Sequence, residues 1–187
     1  MLPNNYFNLD IEVFARRTLF PERDPYAAIA AQELFEKVGR RVMLEKAWNW
    51  LCGRRTACLM DLDEVKAQIK VTNRHSCGLR EIPLSRICGS QGRACDYDEQ
   101  FHPLDGRKKE RWMSIAAAWY QGQGMPPVDL VKIGDYYFVQ DGNHRVSVAR
   151  ALGKHEIEAD VVEWQVAGPL PWERETHGMV GKVAAVV

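Results

Sequence analysis

The segment 136–153, with the sequence Tyr-Tyr-Phe-Val-Gln-Asp-Gly-Asn-His-Arg-Val-Ser-Val-Ala-Arg-Ala-Leu-Gly, constrains the fold more than any other part of the chain. Its first four residues are aromatic or β-branched, which is typical of a buried strand. Asp141–Gly142 ends that strand. Apolar residues at helical spacing follow over 144–152, and Gly153 is a natural helix stop. We therefore predict a strand, a glycine turn and a helix, in that order.

The start of the predicted helix has the properties of an anion site. The first turn of a helix carries backbone N–H groups without intrahelical acceptors and the positive end of the helix dipole. Gly142 lets a ligand approach the backbone closely. Asn143, His144 and Arg145 add side-chain donors at the same place. The combination predicts a phosphate site, with Arg145 as a clamp on the bound anion.

Each polar side chain of this turn also has a structural interpretation. Asn143 and Asp141 are residue types that cap helices, and Arg145 could pair with Asp141 instead of a ligand. Asp141 is equally a candidate for holding Mg²⁺ through a bound nucleotide. His144 is a candidate phosphate contact or proton shuttle. The sequence leaves these alternatives open.

The order of elements around the turn resembles the core of the ParB N-terminal/sulfiredoxin-like superfamily, over roughly residues 80–163. The matching elements are a first strand with an Ile-Pro-Leu entry (80–87), a helix (110–120), strands at 128–133 and 136–139, the Asp-Gly-Asn-His-Arg turn with its helix, and a closing strand (157–163). The resemblance implies a small mixed α/β sheet with packed helices, and it implies phosphate binding at the turn.

The residues of the turn discriminate among the branches of this superfamily. Sulfiredoxins resemble the chain as Gly-Cys-His-Arg with a nucleophilic cysteine, but Asn143 stands here, so sulfiredoxin activity is not expected. Partition proteins of the ParB type carry Gly-Glu-Arg-Arg, of which Gly142 and Arg145 match. The Asp-Gly-His-x-Arg turn of the free-serine kinases is nearest in character. The resemblance therefore implies a bound nucleoside triphosphate (ATP or CTP) with Mg²⁺, and phosphoryl transfer or NTP hydrolysis as the reaction.

A polar, Gly-rich loop over 89–98 follows the first predicted core strand. In the superfamily such loops lie near the nucleotide, so Arg93 is a candidate phosphate contact and Asp96 or Asp98 a candidate metal ligand or base. The alternative is a mobile loop whose glycines serve its turns. The candidate catalytic residues are Asp141, His144 and Asp98, and the candidate nucleotide-binding residues are Gly142, Asn143, His144, Arg145 and Arg93. No pattern identifies the metal ligands, and His102 and His155 are expected at the surface.

The N-terminal third is predicted to be helical. Asp24–Pro25 has the pattern of an N-cap and first helical residue, and the apolar stripe continues to Leu51, with Gly39 as a point of division into two helices. A short helix is predicted over 61–69, and 72–79 is interpreted as a linker. The predicted organisation is a helical unit that offers a surface for self-association (1–78), the ParB/sulfiredoxin-like domain (79–163) and a C-terminal extension (164–187).

Composition limits the remaining function classes. The 187 residues include 25 Lys and Arg against 25 Asp and Glu, which argues against a chain-wide electrostatic grip on DNA. A DNA-associated regulatory protein of ParB type is the alternative function, and a nuclease ranks below it because no cluster of metal-binding carboxylates is evident. There is no apolar run of membrane-spanning length and no signal-peptide pattern, so the expected location is the cytoplasm.

Overall fold

The computed structural model describes residues 25–53, 58–104 and 109–173. In chain order, the helices and strands are α1 (Pro25–Leu51), β1 (Met60–Asp61), α2 (Leu62–Gln68), β2 (Lys70–Pro83), β3 (Ile87–Ser90), α3 (Lys109–Tyr120), β4 (Val128–Ile133), β5 (Tyr136–Asp141), α4 (Asn143–Ala151) and β6 (Glu156–Ala167). Six strands form one sheet in the order β1-β3-β5-β4-β6-β2. The chain thus has the predicted mixed α/β fold.

The sheet combines parallel and antiparallel pairs. Strand β3 runs parallel to β1 and to β5, and β4 runs parallel to β6. The β4–β5 and β2–β6 pairs are antiparallel. Because β3 and β5 are parallel neighbours, their carboxyl ends at Ser90 and Asp141 lie at the same edge of the sheet, where α4 begins. This is the edge at which ligands bind in open α/β sheets.

Apolar side chains fill both faces of the sheet, since neighbouring residues of β4 and β5 point to opposite sides. Leu130 and Val139 belong to one buried cluster, and Val131 and Phe138 belong to another. A third cluster joins α1, α3 and α4 around Trp112, whose indole N–H donates to Ser147 Oγ at 2.8 Å. Trp112 is fully buried, so it packs rather than binds a ligand.

The linker predicted at 72–79 is wrong, because these residues lie inside β2, which pairs with β6 from Lys70 to Pro83. The sheet therefore includes residues on both sides of the predicted boundary at 78–79. The division at Gly39 is also wrong. Helix α1 is continuous through this residue, and Ala31, Val38 and Val42 on either side of it are buried. The capping predicted for Asp24 lies outside the described residues.

The last turns of α1 leave large apolar side chains at the surface. Trp48 and Trp50 are 62% and 83% exposed, and Met43, Leu44 and Leu51 are exposed beside them. Self-association through this part of the chain stays a prediction. Among the helices of the described ranges, none combines the length and the apolar character that a membrane span requires.

Gly89 lies where β1, β3 and β5 approach one another. A Cβ at this position would stand 2.3 Å from Cδ1 of the buried Phe138 and 2.6 Å from the carbonyl oxygen of Met60. We expect Gly89→Ala to lower the free energy of unfolding by about 1–3 kcal/mol, the usual cost of overpacking a core. Urea denaturation measures this change.

The matched control is Gly39→Ala, because nothing lies within 4 Å of a Cβ built at that helical position. Alanine there should raise stability by about 0.5–1 kcal/mol, since glycine is entropically unfavourable inside a helix. Equal stability of Gly89→Ala and the wild type would contradict the close approach of the three strands.

Candidate functional site

The turn before α4 has the glycine-dependent geometry that the sequence predicted. Gly142 occupies the N-cap position with φ 100° and ψ 22°. A Cβ there would stand 2.6 Å from Val128 Cγ1 and 3.0 Å from Arg145 Nε. The left-handed backbone conformation and the short distances to Val128 and Arg145 both require glycine at this position. The backbone of the turn therefore forms a fixed entry to α4.

Within the described ranges, no side chain caps the start of α4. The first intrahelical hydrogen bond runs from Val146 N to Gly142 O at 3.0 Å, so the N–H groups of residues 143–145 have no intrahelical acceptor. Asn143 is the first residue of the helix rather than its cap, and Asp141 pairs with Arg145. The predicted capping roles of Asn143 and Asp141 are therefore wrong.

The Arg145 guanidinium is engaged by protein groups. It donates to Asp141 Oδ2 at 2.5 Å, to the carbonyl oxygen of Pro126 at 2.7 Å and to that of Pro127. The side chain is 14% exposed, whereas that of Asp141 is 71% exposed. The structural interpretation of Arg145, pairing with Asp141, is thus observed. Its role as a phosphate clamp stays a prediction, and a bound phosphate would have to share the guanidinium with these acceptors.

Buried polar atoms surround the helix start. Among the described residues, Ser90 Oγ, the Tyr97 hydroxyl and Asn143 Oδ1 are buried without a hydrogen-bond partner. Ser90 ends β3 beside β5, and the ring of Tyr97 lies edge-on to that of His144 with centroids 6.1 Å apart. A buried polar group without a partner costs about 1–3 kcal/mol, so several near one helix start indicate a place where something binds.

The loop after β3 lies beside the end of β5, which leads into the turn. Gln91 N donates to Val139 O at 2.9 Å. Burial, followed by the charge of Asp96, raises the pKa of Tyr97 to about 12, and Arg93 and Arg111 act in the opposite direction. Both arginines are therefore close enough to influence this hydroxyl. Arg93 is half exposed and lies 3.9 Å from Asp96, and its role as a phosphate contact stays a prediction.

A second group of polar side chains forms around Asp98. Its Oδ1 accepts from Gln100 N at 2.9 Å and from His102 N at 2.8 Å, and its Oδ2 lies 2.9 Å from His102 Nδ1. The two side chains are only 9% and 10% exposed, so the expectation of a surface position for His102 is wrong. Phe101, with φ 61°, turns the loop back so that His102 meets Asp98.

Asp98 belongs to a cluster of its own and not to the turn at 141–145. Arg150, in the last turn of α4, donates to the carbonyl oxygen of Glu99 at 3.2 Å, and its charge acts on Asp98. His144 and Asp141 belong to the other end of the helix. The structure thus places Gly142, Asn143, His144 and Arg145 together, with Asp141 on the same turn and Arg93 in the neighbouring loop. It does not bring Asp98 to them.

Comparison with known proteins does not identify a function. Neither a protein-family model nor a curated protein sequence matches the chain. The crystal structure of sulfiredoxin from Arabidopsis thaliana is similar to it with a TM-score of 0.32 and 20% identity, over 44% of this chain and 82% of that one. The function therefore has to be inferred from this chain's own residues.

Removal of the Arg145 guanidinium should destabilise the protein. Arg145→Ala is expected to lower the free energy of unfolding by about 1.5–3 kcal/mol, because hydrogen bonds from a charged donor to several acceptors are lost. Arg145→Lys should recover part of this loss, since an ammonium group cannot reproduce the fork. Urea denaturation of the three proteins measures both changes.

Arg86→Ala is the control, because Arg86 forms an exposed pair with Asp135 at 3.4 Å. Such exposed pairs contribute about 0–1 kcal/mol. If Arg145→Ala kept full stability but lost anion binding, Arg145 would be a ligand and not the structural residue described above.

The Asp98 carboxyl should make stability depend on acid pH. Burial alone would raise its pKa, but hydrogen bonds and charge from His102 and the amide of Gln100 lower the pKa below its ordinary 3.8. Because the pKa of Asp98 is lower in the folded protein than in the unfolded chain, the ionised carboxylate stabilises the fold at any pH above the unfolded pKa. This stabilisation is lost as the pH falls through the pKa of the folded protein. Asp98→Asn should therefore be less stable than the wild type at about pH 7, and the difference should shrink towards about pH 2.

Urea denaturation across this pH range, with the exposed Asp135→Asn as control, measures the effect. A difference between the wild type and Asp98→Asn that stays constant down to the lowest pH would show that ionisation of Asp98 does not contribute.

Proposed function

We propose that the protein binds the phosphate groups of a nucleotide at the first turn of α4. The observation that carries the proposal is the start of this helix, which no side chain of the described residues caps, with the buried hydroxyl groups of Ser90 and Tyr97 beside it that lack partners among those residues. Phosphate oxygens accept hydrogen bonds from backbone N–H and hydroxyl donors. The two hydroxyl groups can donate, so the donors at this place suit an anion.

The charges around the turn favour a nucleotide as the ligand over a ligand with a single carboxylate group. Arg93 and Arg111 add positive charge on the side of Tyr97, and His144 lies in the turn itself. Asp141 is largely exposed beside them. A carboxylate at the edge of a phosphate site can hold Mg²⁺ that bridges the phosphates. This arrangement fits ATP or CTP with Mg²⁺. Arg145 stabilises the turn through its hydrogen bonds to Asp141, Pro126 and Pro127.

The reaction class follows from the same residues. Transfer or hydrolysis of a terminal phosphoryl group needs positioning, charge neutralisation and an oriented acceptor. The turn supplies donors for the phosphates, and Asp141 supplies the carboxylate for the metal or the acceptor. The proposed activity is therefore Mg²⁺-dependent phosphotransfer or NTP hydrolysis, with His144 and Asp141 as the catalytic candidates. Asp98 is left out of this set because its hydrogen bonds join it to Gln100 and His102.

Two substitutions test the binding site without damaging the fold. Ser90→Ala and Tyr97→Phe each remove a buried hydroxyl without a partner, so both variants should be at least as stable as the wild type when no ligand is present. Each should weaken nucleotide binding about 3–10-fold, which corresponds to the loss of one ordinary hydrogen bond. Titration calorimetry with ATP and CTP, with and without Mg²⁺, measures the affinities.

Ser85→Ala is the matched control, because Ser85 is exposed in the 3-10 turn between β2 and β3. Unaltered affinity in both test variants, or no binding of either nucleotide to the wild type, would refute the proposal. Salt-dependent binding of duplex DNA in a gel-shift assay, without nucleotide binding, would favour the alternative of a DNA-associated regulatory protein.

A further inference from the structure

A second candidate site lies where α1 meets the loop that contains Asp98. Glu45 of α1, Asp98 and His102 each offer one ligand atom, and these atoms all lie within 4.8 Å of one another. Asp98 and His102 are buried, and Glu45 is partly exposed. Glu45 is distant in sequence from Asp98 and His102, so its approach to them is a product of the fold.

The loop holds two of these side chains in place. Both oxygens of Asp98 accept hydrogen bonds, from the Gln100 and His102 amides and from His102 Nδ1. Phe101 is fully buried, and the Arg150 guanidinium carbon lies over its ring, 4.8 Å from the ring centroid. A carboxylate and an imidazole that are fixed in this way lose little conformational entropy when a ligand binds, which is the condition for a tight site.

Solvent reaches the cluster through a cleft of about 530 Å³ between the last turns of α1 and the loop. Glu45 and Asp98 both line it, together with Trp48 and Asn49. A small ion can therefore enter, and a ligand bound to that ion has room beside it.

We propose that Glu45, Asp98 and His102 bind a divalent transition-metal ion such as Zn²⁺ or Mn²⁺. Imidazole nitrogen with carboxylate oxygen is a donor set for Zn²⁺, Mn²⁺ and Fe²⁺, whereas Mg²⁺ and Ca²⁺ prefer oxygen ligands alone. Three protein ligands leave room for water or a further ligand on the side of the cleft, as in metal sites that exchange their ligands.

The charges already present at the cluster are compatible with an added cation. Arg41 contacts Glu45 at 3.2 Å, but this pair is exposed, and such pairs are weak enough to be exchanged for a metal ion. Arg150 directs its N–H groups to the carbonyl oxygens of Leu84, Ile87 and Glu99, so it does not occupy the Asp98 carboxylate. Lys46 also lines the cleft.

Metal titration of the chelator-treated full chain, without nucleotide, tests the proposal. We expect one equivalent of Zn²⁺ to bind and to raise the melting temperature of the wild type, with Mn²⁺ weaker and Mg²⁺ without effect. Glu45→Gln removes one ligand from a partly exposed helical position, so the fold should survive. Its Zn²⁺ affinity should fall at least about tenfold, the lower range for changes around metal sites. Glu33→Gln, exposed on the same helix, is the matched control.

Co²⁺ distinguishes this site from the exposed cysteines Cys52, Cys58 and Cys95. Ligation by Glu45, Asp98 and His102 produces a Co²⁺ spectrum without a thiolate charge-transfer band. Absence of bound metal in the wild type, an affinity unchanged in Glu45→Gln, or a thiolate band that accounts for all bound Co²⁺ would overturn the proposal. Because no nucleotide is present, each of these results is independent of whether the phosphate site exists.

Discussion

Arginine side chains at the two ends of α4 fix this helix to the loops around it. At its start, Arg145 donates to the carbonyl oxygens of Pro126 and Pro127, immediately before β4. At its end, Arg150 donates to the carbonyl oxygens of Leu84 and Ile87, both at 2.6 Å, and to that of Glu99. Burial lowers the pKa of Arg150, because desolvation disfavours the charged guanidinium. The carbonyl oxygens that accept its hydrogen bonds stabilise this charge. The positions of both candidate sites depend on these contacts.

One loop connects the two sites. Tyr97 and Asp98 are consecutive and both buried, yet Tyr97 contacts His144 at the start of α4, and Asp98 bonds to His102 near its end. The hydroxyl of Tyr97 and the carboxylate of Asp98 thus belong to two different candidate sites. The proximity of a carboxylate to the proposed phosphate site does not by itself make it part of that site, and the hydrogen bonds of Asp98 join it to His102 in the other candidate site.

The central α/β elements could be predicted because their patterns are local. Strand β4 has the predicted bounds 128–133, and α3 and α4 begin within a residue of the predicted positions, since their apolar periods and flanking glycines are clear. Strand β2 was mistaken for a linker because it is an edge strand with few buried residues, so its sequence lacks apolar alternation. Gly39 does not interrupt α1, because buried contacts on both sides of it outweigh the small cost of glycine in a helix.

The candidate site was predicted less completely than the fold. Gly142 could be found from sequence, because a tight turn between a strand and a helix needs a residue that tolerates positive φ. The pairing of Asp98 with His102 depends on the backbone conformation of Phe101, and the approach of Glu45 depends on the packing of α1. Neither has a signal in local spacing. Ser90 and Tyr97 become candidates only once their burial without partners is known.

The place of β6 in the sheet has a consequence for synthesis of the chain. Strand β2 pairs with β6 along its whole length, and β6 is also the parallel neighbour of β4. On the ribosome, residues 70–83 are made well before their partner at 156–167, and at about 5–20 residues per second the delay lasts several seconds. During that interval β2 has both edges open. Its exposed charged residues, including Lys70, Arg74 and Arg80, protect such an edge from pairing with other nascent chains until the last strand arrives.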